Sequence, residues 1–407
     1  MKIVMITPDS YMIDRRILLE AKTMVNAGHS VTLLAGFECE KEEHYNWEGI
    51  EIHRYQYDWD DERLKKIRSY LPNNDRVKMF VNKAFMKIAR SILEIDPFDQ
   101  FMLTKLLELD ADVYHVHDLP CLKVGVHAAA RKGVPLVYDA HELYYAQEVL
   151  PKTLQRKYYE LEKKYIQQPT VSITVNPFIA QLMEERYQVK RPEVIMNCTE
   201  KPVNFNPDKS RTLLCEKSGI PEDWNIVLYQ GWISPERNLE TIVRGVRFFP
   251  EKTALAIIGY GEYEKVLREV AIQENIQDRI FFLGKVPSEE MLHFSAGADI
   301  GIIPYRPIDD NHLYCSPNKL FEYVLAGVPI IADDLPFFNL MQEKYGFIQV
   351  TNMGSSSAFG QTVCEMLKDV DRKNDLKAKC NAAATELNWE VEGQKLLHIY
   401  NTKVFKN

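Results

Sequence analysis

Short runs dense in Val, Ile and Leu alternate along this chain with longer stretches whose apolar residues recur every three or four positions. Buried strands alternating with amphipathic helices predict an α/β protein with parallel sheets. Lys2 to Pro8 is the first apolar run and stops at a proline. A helix is predicted from about Asp14 to Ala27, ended by Gly28, with strands at Ser30 to Ala35 and Ile50 to Tyr55. Further strands are predicted at Asp112 to Asp118, within Val134 to Tyr144, at Val171 to Val175 and at Glu193 to Ile195. Helices at about Leu119 to Lys132, Leu154 to Ile166 and Pro177 to Tyr187 separate them at the spacing of parallel crossovers.

Asn197 to Asp208, with Pro202, Pro207 and three asparagines, reads as a linker, after which the alternation begins again. Strands are predicted at Asn225 to Gly231, Ala254 to Ile258, Arg279 to Pro287 and Ala298 to Pro304, then helices from about Ser355 to Glu386 and from Trp389 to about Phe405. Ser316 to Ala332 is the most informative stretch. Ser316 is expected to cap a helix with Pro317 at its first position, and Gly327 and Pro329 to stop it before the strand Ile330 to Ala332. Such a helix start is a natural phosphate site, with Lys319 in its first turn and Glu322 placed to take a vicinal diol. Phosphate beside diol describes a nucleotide. The plainer reading is a capped helix with an acid near its positive end.

Length and charge narrow the class. The 407 residues suit two domains of roughly 200 residues each. A net charge of -8 argues against general nucleic-acid binding, and no apolar run is long enough to span a bilayer. Seven cysteines, an odd number without Cys-x-x-Cys spacing, predict reduced thiols in the cytoplasm and no zinc site. Asp58-Trp59-Asp60 and Asp110-Ala111-Asp112 match a metal-binding Asp-x-Asp but are read as loop or cap acids, so no metal is expected. One segment departs from the rest: Glu62 to Glu94 holds nine Lys or Arg against three acids, interleaved with Met79, Phe80 and Phe85. It reads either as basic helix surface or as a peripheral contact with anionic lipid at the inner face of the membrane.

Ser316-Pro317-Asn318-Lys319-Leu320-Phe321-Glu322, with Ala326-Gly327-Val328-Pro329 beyond it, resembles the donor-site motif of the family 4 glycosyltransferases, retaining enzymes of the GT-B fold. The resemblance implies two Rossmann-like α/β domains facing each other across a cleft. An acceptor-side domain is expected over residues 1–200 and a nucleotide-sugar domain over 201–388, with 389–407 as a terminal helix packing back on the first. It implies a nucleotide-sugar donor, with UDP as the expected carrier, no cofactor, and a glycan or lipid-linked acceptor in polysaccharide synthesis. Implied donor residues are Gly231, Lys285, Val286, Ser316, Pro317, Asn318, Leu320 and Glu322, with Arg237 and Lys319 as the cations on the leaving diphosphate.

On the acceptor side, His117 resembles the histidine that relatives present to the reacting sugar, whereas His115 is read as structural. Asp118, Asp139, His141 and Glu142, at the carboxyl ends of two strands, are candidates for binding acceptor hydroxyls or for capping the next helix. Three departures from the family pattern stand out. Asp9-Ser10-Tyr11 replaces a glycine pair, Trp232 stands where relatives carry an arginine, and Tyr314 stands where they carry a glutamate. An epimerase of the same fold and a catalytically reduced, nucleotide-sugar-binding partner are the alternatives.

Overall fold

The structure is a computed structural model that describes residues 1–9, 13–57, 95–147 and 149–405. The basic segment from Glu62 to Glu94 and the Asp58-Trp59-Asp60 run lie outside the described residues. The first unit is an eight-stranded sheet in the order β3-β4-β2-β1-β5-β6-β7-β8. Its strands are β1 (Lys2–Thr7), β2 (Ser30–Ala35), β3 (Glu38–Trp47), β4 (Ile50–Gln56), β5 (Val113–His117), β6 (Leu136–Ala140), β7 (Val171–Thr174) and β8 (Glu193–Val194). The second is a six-stranded sheet in the order β11-β10-β9-β12-β13-β14. It is built from β9 (Asn225–Gln230), β10 (Thr253–Ile258), β11 (Ile280–Gly284), β12 (Ile300–Ile303), β13 (Ile330–Ala332) and β14 (Ile348–Val350).

Every pairing is parallel except β3 with β4. In each sheet the order reverses beside its first strand, between β1 and β5 and between β9 and β12. Crevices at the carboxyl ends of those strands are where such sheets receive ligands. The central strands are buried on both faces, as sheets covered by helices on both sides require, and are apolar apart from a few buried polar residues such as His115, His117 and Asp139.

Strand β3 is the element that hydrophobic pattern did not anticipate. Its sequence, Glu38 to Trp47, is charged and largely exposed, because it is an edge strand held only by its antiparallel partner. The hairpin turns at Glu48 and Gly49, both with positive φ, 49° and 87°. The terminal helix Trp389–Ile399 and the π-turn Tyr400–Val404 bury Trp389, Leu396, Ile399 and Tyr400 against Ile3, Met5 and Leu33 of the first sheet. Trp389 Nε1 donates to Thr23 Oγ1 at 2.9 Å, joining residues far apart in sequence.

Candidate active site

The helix expected to start at Pro317 begins one residue later, at Asn318, and runs to Ala326 with Gly327 as its left-handed stop at φ 68°. Pro317, extended at φ -75° and ψ 142°, occupies the cap position and no side chain caps the helix. Ser316 therefore does not cap. Its carbonyl accepts from Asn197 Nδ2 at 2.9 Å, while its buried hydroxyl has no partner. The uncapped start leaves the amides of Asn318 and Lys319 without an acceptor among the described residues, an electropositive end open to an anion.

Two cations converge beside it. Lys319 is 6% exposed, with Nζ 3.3 Å from Tyr305 Oη and 4.3 Å from the Tyr229 ring centroid. Arg237 stacks on the other side of the arrangement, its guanidinium 4.5 Å from the Tyr305 ring centroid. Neither cation has a carboxylate at ion-pair distance among the described residues. Burial and the neighbouring Arg237 charge push Lys319 well below its usual lysine range. Gly231 lies against Lys319, since a Cβ there would fall 3.0 Å from Nζ. Glu322 is half-buried and oriented by a relay: Ser295 Oγ donates to Gln230 Oε1 at 2.7 Å, and Gln230 Nε2 donates to the Glu322 carboxylate.

On the opposing unit the structure separates residues that the sequence placed together. His117 is 0% exposed, packed with His115 at 4.5 Å between ring centroids, and does not reach the cleft. His141 lines the cleft instead, with Nε2 3.3 Å from His117 Nδ1 and 3.2 Å from Asp139 Oδ2. The expectation for His117 is thus corrected: the first sheet presents His141, and His117 stands behind it. Asp139 is corrected too, because it is 0% exposed and accepts both bonds of a fork from Arg16 Nη2 at 2.9 Å. Burial raises the Asp139 carboxyl, but Arg16 and His141 outweigh it and hold it well below the usual range. Burial likewise opposes charge on His141, yet Asp118 and Asp139 raise it to about 10, so it is an imidazolium. Asp118 remains at the cleft wall, in a left-handed backbone at φ 59°, accepting from the His141 amide at 3.0 Å. Glu142 also lines the cleft, and burial with the Asp118 charge pushes it up to about 7.

Glu20, His115, His117 and Asp139 bring donor atoms within 4.8 Å of one another, a metal-like grouping. Arg16 already bonds both carboxylates, to Glu20 through Nε at 2.8 Å, so a guanidinium fills the cationic place in this cluster. The Asp110 and Asp112 pair has a structural use at the opposite edge of the sheet, where Asp112 accepts from the Lys2 amide at 2.8 Å and Asp110 pairs with the Lys2 side chain.

The two carboxyl-edge crevices merge into one cleft of about 1060 Å³. Asp118, His141, Glu142, Arg237, Ser316, Pro317 and Asn318 line it. Gly231, Lys319 and Glu322 lie behind the lining, next to Arg237 or Gln230. Leu320 is corrected: its side chain is wholly in the core and its amide is bonded to Pro317 O at 3.0 Å, which leaves no group for a ligand. Lys285 and Val286 were expected to act through their backbone; the Val286 side chain is buried in the same core, the Lys285 Nζ lies 5.2 Å from the Tyr260 ring, and neither residue is among those lining the cleft. Sequence reasoning missed Arg16, Gln230 and Tyr305. Gln230 and Tyr305 share one legible signal, a polar residue at or just beyond the carboxyl end of a central strand; Arg16 had none, being one of two arginines in a helix start.

Comparison with known proteins places this arrangement. Residues 13–200 match the family described as Glycosyltransferase Family 4, and residues 210–385 match Glycosyl transferases group 1. The chain is 22% identical over 315 residues to a D-inositol 3-phosphate glycosyltransferase of Xylanimonas cellulosilytica, covering 71% of each. It is 24% identical over 217 residues to the putative teichuronic acid biosynthesis glycosyltransferase TuaH of Bacillus subtilis, covering 52% of this chain and 53% of that one. Its fold matches that of Anabaena HepE, solved in complex with UDP and glucose, with a TM-score of 0.72 at 15% identity over 99% of this chain and 100% of the other. Two family matches in tandem, on two parallel-sheet α/β domains, show that the chain belongs to the family 4 glycosyltransferases of the GT-B fold.

Proposed function

We propose that this chain is a retaining glycosyltransferase that moves a hexosyl group from a nucleotide sugar, UDP-linked, to a hydroxyl of a glycan or glycolipid in polysaccharide synthesis. The observation that carries the reading is the pair of cations without carboxylate partners among the described residues, Arg237 and Lys319, converging on Tyr305 beside the uncapped start of the Asn318–Ala326 helix. A lysine whose charge is disfavoured by burial and by an adjacent arginine is a poor structural choice, and a diphosphate supplies the missing negative charge. In the reaction the bond from the anomeric carbon to the diphosphate breaks, the bond to the acceptor oxygen forms, and the acceptor proton passes to the departing diphosphate. Glu322, fixed by Gln230, is assigned to the ribose hydroxyls. Residues 1–200 are assigned to the acceptor and 201–388 to the donor, with 389–407 tying the second unit back to the first.

The test is hydrolysis of a panel of UDP-, GDP- and ADP-sugars without acceptor, paired with calorimetry of the free nucleotides. One donor hydrolysed slowly, with its nucleotide bound, supports the reading and names base and sugar. Turnover to an isomeric nucleotide sugar would make the chain an epimerase, and binding without any turnover would make it a partner of another transferase. No helix among the described residues is long and apolar enough to cross a membrane. Peripheral contact at the inner face, through Lys78, Lys83, Lys87 and Arg90, is tested by sedimentation with anionic and neutral vesicles at low and high salt.

A further inference from the structure

The cleft walls point beyond the donor to the acceptor. Among the described residues, Asp9, Asp14, Asp118 and Glu142 line it from the first unit, and Glu236, Glu262 and Asp309 from the second. Against these seven carboxylates stand Arg237, assigned above to the diphosphate, and two histidines. His141 is an imidazolium already neutralised by Asp139 at 3.2 Å and by Asp118. His312 Nδ1 is taken by Asp309 Oδ1 at 2.8 Å. Once a donor diphosphate has consumed Arg237, no lining cation remains among the described residues for a second anion, which there meets like charge. Burial pushes the Asp9, Asp118 and Glu142 carboxyls up, so these groups have already lost part of their water.

A further feature marks a place for a ligand. Trp232 borders the same cleft at 49% exposure, with Tyr260 edge-on at 4.8 Å between centroids. An exposed indole backed by a second ring offers a negative face to the C–H surface of a sugar ring. Carboxylates that accept from hydroxyls or ammonium groups, with an aromatic platform beside them, suit a polyhydroxylated ring and repel a phosphorylated one.

We propose that the acceptor is a sugar whose reacting residue carries no phosphate, sulfate or carboxylate: an uncharged or amine-bearing ring held by carboxylates on both walls. This rests on the transferase reading above. The experiment uses the full chain and the donor identified by hydrolysis, with p-nitrophenyl glycosides of glucose, galactose, mannose and N-acetylglucosamine. Each is offered beside its 2-amino, 6-phosphate and 6-carboxylate counterpart, and products are read by mass spectrometry. Transfer to the neutral or amino member at least about tenfold faster than to the anionic one is expected, as for one or two unit charges facing an added anion across several ångströms. The preference is expected to shrink at high salt.

Glu142→Gln and, as an exposed substitution that spares the fold, Glu262→Gln are each expected to raise the anionic-to-neutral ratio about threefold. Equal or faster transfer to the anionic members, or an unchanged ratio in both variants, overturns the proposal. So does the absence of transfer to every member while donor hydrolysis continues, because the cleft would then not recognise sugar rings. Loss of donor hydrolysis and of nucleotide binding alike would instead fail the transferase reading itself.

Discussion

Lys319 shows how a single residue can store a binding event. Burial and the Arg237 charge disfavour its protonated form in the empty site, and an incoming diphosphate reverses that balance. Nucleotide diphosphate binding is therefore expected to take up a proton. Calorimetric enthalpies measured in buffers of different ionisation heat check this, and affinity is expected to weaken as pH rises; buffer-independent enthalpy would remove Lys319 from the phosphate site. Asp139 carries the opposite lesson. Its place after β6 made it look like an acceptor ligand, because sequence shows the strand end but not the arginine that folds against it. With Arg16 and Asp139 both buried, Asp139→Asn leaves Glu20 as the one carboxylate bonded to the guanidinium among the described residues and is expected to cost up to about 3 kcal/mol, read from chemical denaturation. The His141 charge belongs to the same cluster. Its folded value near 10 lies above the ordinary histidine value, so its contribution to stability is full below about pH 6.5 and is lost as pH rises through 10. A denaturation midpoint that falls between pH 7 and 10, and falls less in Asp139→Asn, is the expected signature.

Elements were legible in sequence where burial imposes a pattern. The central strands announce themselves through β-branched runs because helices cover both of their faces, and Gly327 marks a helix stop because its backbone is left-handed. Strand β3 was not legible: an exposed edge selects charge, and charge reads as loop. The start of the Asn318–Ala326 helix was misread by one residue, since a serine before a proline has the composition of a cap whether or not its hydroxyl turns inward. Gly259-Tyr260-Gly261 is the clearest case of a motif explained by packing between elements. A Cβ on Gly259 would come 1.9 Å from Gly231 O, and one on Gly261 2.0 Å from Ile233 O, with φ at 151° and 155°. The loop after β10 is thus pressed backbone to backbone against the loop after β9, where Gly231 borders Lys319. Gly259→Ala is expected to destabilise the second unit by at least about 2 kcal/mol, through overpacking and an unfavourable φ together. The same change is expected to weaken UDP binding disproportionately, which calorimetry at low temperature, where the variant stays folded, would separate from unfolding.

At the scale of the whole molecule, the terminal helix is one tie between the two units, and a second is a short stretch, residues 310–316, that leads directly into the Asn318–Ala326 helix. Arg186 pairs with Asp310 at 2.7 Å, Asn176 Nδ2 donates to Tyr314 O at 2.7 Å, and Asn197 Nδ2 to Ser316 O at 2.9 Å. Tyr314, the residue that departs from the family pattern, stacks on Phe178 of the first unit at 6.1 Å between centroids. Asn311 makes the most regular contact, accepting from the Leu143 amide at 2.8 Å and donating to the Leu143 carbonyl at 2.9 Å, as a strand would. These bonds join residues of the first unit to residues of the second, so they bear on how the units face each other. Removing both Asn311 bonds costs about 1 to 3 kcal/mol, enough to shift a closed arrangement toward an open one by roughly tenfold or more. Asn311→Ala is therefore expected to lower kcat/KM by about one decade and to increase the radius of gyration measured by small-angle scattering, while the unfolding midpoint moves little. A drop in midpoint without a change in radius would make Asn311 an ordinary stabilising contact, and unchanged kinetics would mean that the described closure is not the reacting one.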